Sequence, residues 1–146
     1  VLPLDQVPDP AFAAGTVGHG VAIDPTGDTV YAPADATIVA LQPTGHAVGM
    51  VLDGGVELLI HIGIDTVQMG GDGFTVHVEA GKKVKAGTPL VTFDRAKIEA
   101  AGYSPITPVV VMNTKKFVSV TGIAEGLAPA GTPIIAVQSK AFVPAG

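Results

Sequence analysis

Four histidines, His19, His46, His61 and His77, are the only side chains in this sequence that change charge near neutral pH without help from their surroundings. His61 closes an apolar run, Glu57-Leu58-Leu59-Ile60, and precedes Ile62-Gly63-Ile64-Asp65-Thr66-Val67. A polar, nucleophilic ring in that place needs a partner for each nitrogen or an open face to solvent. Most histidines on apolar strands are satisfied core residues. Here Gly63 lets backbone approach closely, and Asp65, four residues on, can rim a site with a carboxylate. His46, in Thr44-Gly45-His46, precedes the run Val48 to Leu52, which the turn Asp53-Gly54-Gly55 returns as Val56 to His61. Those turn residues tolerate the positive φ of a tight hairpin. His46 and His61 lie eight and seven residues from Gly54, so antiparallel pairing brings the two imidazoles near each other across the ladder. Two adjacent imidazoles suit either a phosphoryl group or a divalent metal, and spacing alone leaves both open.

The other constellations read as structure. His19, between Gly18 and Gly20, reads as an exposed turn residue, and His77, in Phe74-Thr75-Val76-His77-Val78, as a solvent-facing strand position. Gly70-Gly71-Asp72-Gly73 lacks the Lys-Ser/Thr ending of a phosphate-binding loop and reads as a turn. The serines, Ser104, Ser119 and Ser139, include none in a Gly-x-Ser-x-Gly elbow, which argues against serine hydrolase chemistry. Lys82, Lys83 and Lys85 follow Gly81 and read as a solvated loop.

The elements that must position the histidine pair are short. With 19 glycines and 12 prolines in 146 residues, about a fifth of the chain is turn-forming, against about 12% in an average protein. Runs such as Val21 to Ile23, Thr29 to Tyr31, Thr37 to Leu41, Phe74 to Val78, Leu90 to Phe93, Val109 to Val111, Phe117 to Val120 and Ile134 to Val137 recur at about ten-residue intervals, the rhythm of an all-β sandwich or barrel. One helical segment, of about two turns, is expected at Arg95 to Ala101, with Gly102 as its left-handed stop. Lys85-Ala86-Gly87-Thr88-Pro89-Leu90-Val91 returns 44 residues later as Pro129-Ala130-Gly131-Thr132-Pro133-Ile134-Ile135, consistent with two similar halves. A hydrophobic fraction of 47% is enough for one domain with a real core. The longest strictly apolar run is four residues, against the roughly 20 of a membrane-spanning helix. A net charge of −5 and the lack of a Lys/Arg stripe argue against nucleic acid. The absence of cysteine removes disulfides and thiolate chemistry and fits a cytoplasmic setting.

The chain resembles the enzyme IIA component of the glucose class in the bacterial sugar phosphotransferase system. The residues that carry the likeness are Val7-Pro8-Asp9-Pro10-Ala11-Phe12, Gly18 to Pro25, Thr44-Gly45-His46, Gly55-Val56-Glu57-Leu58 with His61-Ile62-Gly63-Ile64-Asp65-Thr66-Val67, and Thr107-Pro108-Val109-Val110. The resemblance implies an antiparallel β-sandwich of duplicated hybrid motifs with one or two short helical turns. It implies a phosphocarrier whose residue matching His61 takes a phosphoryl group on Nε2 from the histidine-containing phosphocarrier protein. The group then passes to a cysteine of the sugar-specific enzyme IIB, without insertion of the domain into the membrane and without a cofactor. By the same likeness His46 contacts the phosphoryl group and Thr44 fixes the ring of His46. Asp9 and Asp65 are carboxylates at the rim that face partner arginines. Phe12, Val17, Leu59 and Val67 form an apolar collar for partner proteins.

Some features depart from that family. Its opening strand, with an Ala-Pro-x-x-Gly segment, has no counterpart before Val7. The tail Lys140-Ala141-Phe142-Val143-Pro144-Ala145-Gly146 is similar to it. The expectation is therefore a single domain over residues 1–146 with rearranged ends, residues 140–146 standing in for the first strand. Ile62 replaces a phenylalanine common in the family. The lack of an amphipathic N-terminal anchor favours a domain of a larger permease. Two rivals belong to other classes. A zinc hydrolase of a related sandwich would use His46, His61 and Asp65 but needs a His-x-His pair, which is absent. A zinc shared with a bound partner through His46 and His61 is compatible with the carrier reading. A lipoyl or biotinyl carrier needs a lysine at a hairpin tip flanked by Met or Asp, which Lys115-Lys116 does not satisfy.

Overall fold

Alternating apolar side chains between glycine- and aspartate-bearing turns fold into antiparallel strands. The computed structural model describes residues 1–15, 17–41, 43–52, 55–113, 117–122 and 135–139. In chain order the strands are β1 (Leu2–Pro3), β2 (His19–Ile23), β3 (Thr29–Tyr31), β4 (Ala36–Leu41), β5 (Ala47–Leu52), β6 (Glu57–His61), β7 (Phe74–Val76), β8 (Lys83–Val84), β9 (Pro89–Phe93), β10 (Thr107–Val111), β11 (Phe117–Gly122) and β12 (Ile135–Ser139). The helices are α1 (Pro10–Ala13) and α2 (Arg95–Ala100), with 3-10 turns at Leu4–Gln6 and Thr66–Met69. A seven-stranded sheet runs β1-β2-β10-β6-β5-β4-β8, a three-stranded sheet β3-β9-β7, and β11 pairs with β12. This is the expected β-sandwich. Of the second Gly-Thr-Pro segment only Ile135 is described, so the second half of the duplication lies outside the described residues, as does the proposed tail at 140–146.

The main core lies between the two larger sheets. Ile38 of β4, Val48 and Met50 of β5, Leu58 and Ile60 of β6, and Val109 and Val111 of β10 meet Leu90, Val91 and Phe93 of β9, with Ile98 of α2 at one end. Because side chains alternate along a strand, the same strands present a second set on the other side of the large sheet. There Val110 and Ala22 pack with Val7, Phe12 and Ile64, flanked by Leu2, Leu4, Val17, Leu59 and Ile106. All five residues of β10 are buried, and the run Thr-Pro-Val-Val-Val is what a strand covered on both faces requires.

Most expected runs are strands with ends displaced by one or two residues, and α2 spans Arg95–Ala100 where Arg95 to Ala101 was expected. Asp94 caps α2 by accepting from Lys97 N, and Gly102 takes φ +87° just beyond it. Three readings are corrected. His19 is not in a turn: it opens β2 opposite Val111, exposed, because the flanking glycines let β2 pair with β10. Lys83 belongs to the short edge strand β8, paired with Thr37, where an exposed lysine suits an edge. His77 and Val78 lie beyond the end of β7. His77 remains exposed and bonds Thr92 Oγ1 through Nε2 at 2.7 Å.

Met50 is fully buried in the main core. Met50→Ala is expected to lower the unfolding free energy by about 2–5 kcal/mol, measured by urea denaturation with an unchanged slope.

Candidate functional site: a histidine pair

The pleat of β6 decides where His61 points. Leu58 and Ile60 enter the main core, so Leu59 and His61 share the opposite face. On that face the Phe12 ring of α1 lies 5.3 Å from the His61 ring, centroid to centroid, tilted by 55°. Phe12 is held there by its own helix start. Asp9 caps α1, accepting from Ala11 N at 2.9 Å and Phe12 N at 3.3 Å, and Pro10 stands at the first helical position.

The β5–β6 hairpin has the register deduced from the turn, with Ala47 opposite His61 and Val51 opposite Glu57. Gly55 takes φ +92° at its tip, and Ile62 N–H donates to His46 O at 2.6 Å. Ala47 and Gly49 oppose His61 and Leu59, so only small groups stand beside them on the β5 side. His46 leads into β5 from a tight turn: Gly45 has φ +74°, and a Cβ there would lie 2.9 Å from Val76 Cγ2. The two imidazole rings meet with centroids 5.1 Å apart, edge to face at 74°.

Hydrogen bonds orient each ring. His61 Nδ1 lies 2.6 Å from the Gly63 carbonyl oxygen. A carbonyl only accepts, so Nδ1 carries the proton and Nε2 of the neutral ring presents its lone pair. Gly63 has φ +75°, and a Cβ there would lie 2.8 Å from Ser104 O, so neither the conformation nor the space admits a side chain. His61 is half-buried. His46 is 5% exposed, with Nδ1 2.5 Å from Thr44 Oγ1, a hydroxyl able to donate or accept. Burial, and secondarily the neighbouring His61, hold the pKa of His46 below 6.5. At neutral pH the pair therefore includes one imidazole kept uncharged by its surroundings.

Thr44 meets His46, and both His46 and Phe12 meet His61; Phe12 lies in the outer apolar cluster, with Val17 and Leu59 packed against it. Val67 stands outside that cluster, 48% exposed on the turn Thr66–Met69. Asp65 is exposed and takes a left-handed backbone, φ 61°. Asp9, read from the likeness as a rim carboxylate, has Oδ1 engaged in capping α1. The Asp-Pro pair that signals such a cap was present in the sequence. Ser104 contributes its carbonyl to Ile64 N–H at 2.9 Å, a contact 40 residues apart in sequence that no local pattern announces. Among the described residues no three His, Asp or Glu side chains converge as metal ligands. Among these residues the histidine pair has no third protein ligand of the kind a hydrolytic zinc takes, and they give the hydrolase reading no geometric support.

Comparison with known proteins supplies the context. Residues 1–117 match the family model described as "phosphoenolpyruvate-dependent sugar phosphotransferase system, EIIA 1". The mannose-specific EIIBCA component of Corynebacterium glutamicum is 55% identical over 139 residues, 95% of this chain and 20% of that protein. The chain thus spans about a fifth of the length of such multi-component relatives. The glucose-specific EIIA component of Bacillus cereus is 43% identical over 138 residues, covering 94% of this chain and 84% of that protein. The solved glucose permease IIA of Mycoplasma capricolum superposes with a TM-score of 0.75 at 31% identity, covering 95% of this chain and 84% of that one. No helix among the described residues is long and apolar enough to cross a membrane.

The lowered pKa of His46 makes stability depend on pH. Below 6.5 the unfolded chain takes up the proton on this residue more readily than the folded one. Stability therefore falls as pH drops through 6.5 toward the lowered value and levels off beneath it. Urea denaturation at about pH 7.5 and about pH 5 is expected to show a smaller acid loss in His46→Gln than in the parent chain.

Proposed function

The chain belongs to the EIIA 1 family of the phosphoenolpyruvate-dependent sugar phosphotransferase system, and on that premise we propose that it is a phosphocarrier for sugar uptake, with His61 as the group that is phosphorylated. The donor is the histidine-containing phosphocarrier protein and the acceptor a cysteine of the sugar-specific EIIB component. The observation that carries this reading is the Nδ1–Gly63 carbonyl bond, which leaves Nε2 of a half-buried imidazole as the nucleophile next to a second imidazole.

A neutral imidazole needs no separate base to attack phosphorus. In the first step a bond forms from His61 Nε2 to phosphorus while the donor's phosphorus–nitrogen bond breaks, and the departing imidazole takes the electron pair. In the second, a cysteine thiolate of EIIB attacks the same phosphorus and His61 leaves with its electrons on Nε2. The transferring group spreads negative charge over three oxygens in a loose transition state, so correctly placed donors do most of the catalysis. His46 supplies one from Nε2 when its Nδ1 accepts from the Thr44 hydroxyl. Its burial fits this duty, because a group kept neutral donates without forming a permanent ion pair that would trap the phosphate.

Once phosphorylated, His61 gains a charge of roughly −1.5 to −2, by analogy with phosphorylated hydroxyls. Carboxylates beside it repel that charge, so Asp65 and Asp9 act toward partner arginines, Asp65 from an exposed position and Asp9 while capping the helix that carries Phe12. Phe12, Val17 and Leu59 supply the apolar surface on the face that carries the ring, and Val67 offers partners an exposed apolar side chain from the turn Thr66–Met69. Among the described residues no third ligand stands beside His46 and His61, so a zinc ion there would draw on ligands from a partner. The relatives named for mannose and for glucose share this domain at high identity, which supports placing the choice of sugar in the membrane component.

Incubation with phosphoenolpyruvate, enzyme I and the phosphocarrier protein, followed by intact mass at alkaline pH, is expected to show one acid-labile phosphate. His61→Gln should take up none, whereas His46→Gln should be phosphorylated and fail to pass the group to EIIB. The opposite pattern would reverse the two roles. Asp65→Asn removes the charge while keeping a side chain that tolerates φ 61°. It is expected to slow transfer between partners with a melting temperature within a few degrees of the parent, measured by rapid quench and calorimetry.

A further inference from the structure

The proton on His61 Nδ1 depends on where the Gly63 carbonyl points, and three successive peptide planes fix that direction. In the first, Ile62 N–H donates to His46 O at 2.6 Å. In the third, Ile64 N–H donates to Ser104 O at 2.9 Å. N–H and C=O point in opposite directions across a trans peptide, so anchoring Ile64 N–H on Ser104 sends the Gly63 carbonyl the other way, onto the His61 ring. The middle plane, between Ile62 and Gly63, is held by a side chain: Thr66 Oγ1 donates to Ile62 O at 2.5 Å. Thr66 is fully buried. Its Cγ2 occupies the space beside Gly63, 2.5 Å from where a Cβ would stand. The left-handed backbone of Asp65, φ 61°, turns the chain so that Thr66 can reach back four residues to that carbonyl.

We propose that Thr66 is a positioning residue for His61: by fixing the Ile62–Gly63 peptide it keeps the Gly63 carbonyl on Nδ1, and so keeps Nε2 free of its proton. His46 and Ser104 contribute only backbone carbonyls to these planes, so Thr66 is the side chain through which the arrangement can be altered. If the middle plane is released, glycine's wide conformational range lets the carbonyl swing, and the neutral ring then populates both tautomers. The inference rests on the reading of His61 as the nucleophile.

The test is long-range proton–nitrogen correlation NMR on histidine-labelled protein at alkaline pH. It is paired with the rate of phosphoryl acceptance from the phosphocarrier protein. The parent chain is expected to show His61 as the single tautomer protonated on Nδ1. Thr66→Val, which keeps the shape and removes the hydroxyl, should show both tautomers and accept about tenfold more slowly. Thr66→Ser, which keeps the hydroxyl, should retain the single tautomer and the parent rate. A single tautomer in Thr66→Val overturns the proposal, as do mixed tautomers with undiminished acceptance. If Thr66→Val fails to fold, Thr66→Ser decides: the single tautomer supports the role of the hydroxyl and a mixture overturns it. Failure of the phosphocarrier reading would appear separately, as a parent chain that accepts no phosphate, while the tautomer ratio is read without any donor.

Discussion

One hydrogen bond organises this molecule's chemistry: the 2.6 Å contact between His61 Nδ1 and the carbonyl of Gly63. Imidazole has two nitrogens of similar basicity, and a ring free to choose between tautomers offers each as nucleophile only part of the time. A backbone carbonyl two residues on removes the choice, because it can only accept. That carbonyl is reached because Gly63 adopts a positive φ in a space too small for a side chain, at the point where β6 ends and the chain turns toward Ser104.

The remainder of the fold separates this arrangement from the forces that keep the chain folded. The main core lies between the two larger sheets and is filled by Leu58, Ile60, Val48, Met50 and their neighbours. His61 hangs on the opposite face of the same strand, against the smaller cluster that includes Phe12 and Val110. A strand's two-residue period makes this division automatic: one face of β6 stabilises while the next side chain along is free to carry function. β10, buried on both sides, is the shared wall. Asp9 links local and tertiary order in the same way, since capping α1 also places Phe12 beside His61.

His46 brings electrostatics of its own to the pair. Its burial and the adjacent ring disfavour the charged form, so the pair resists becoming two imidazolium ions in contact. In the proposed relay this matters because phosphoryl groups must leave as readily as they arrive. A neutral donor steadies a phosphate less than a buried cation would, and outward-facing carboxylates such as Asp65 discourage accumulation of negative charge at the site.

The sequence by itself determined the β rhythm, the helix at Arg95, and the β5–β6 register from which the approach of His46 and His61 follows, because hairpin pairing is a local property of turn length and side-chain alternation. Through the family likeness it also carried the pairing of Thr44 with His46 and the apolar surroundings at Phe12, Val17 and Leu59. What only the tertiary structure decided was the strand status of His19, the capping duty of Asp9 and the exposure of Val67 outside the cluster. Above all it decided the meeting of Ile64 with Ser104 and of Thr66 with the Ile62 carbonyl. Those contacts depend on how a loop folds back after a strand ends, where no periodicity operates. The orientation of a single peptide plane is fixed by whichever buried groups reach it, and a linear pattern of residue types does not encode that reach.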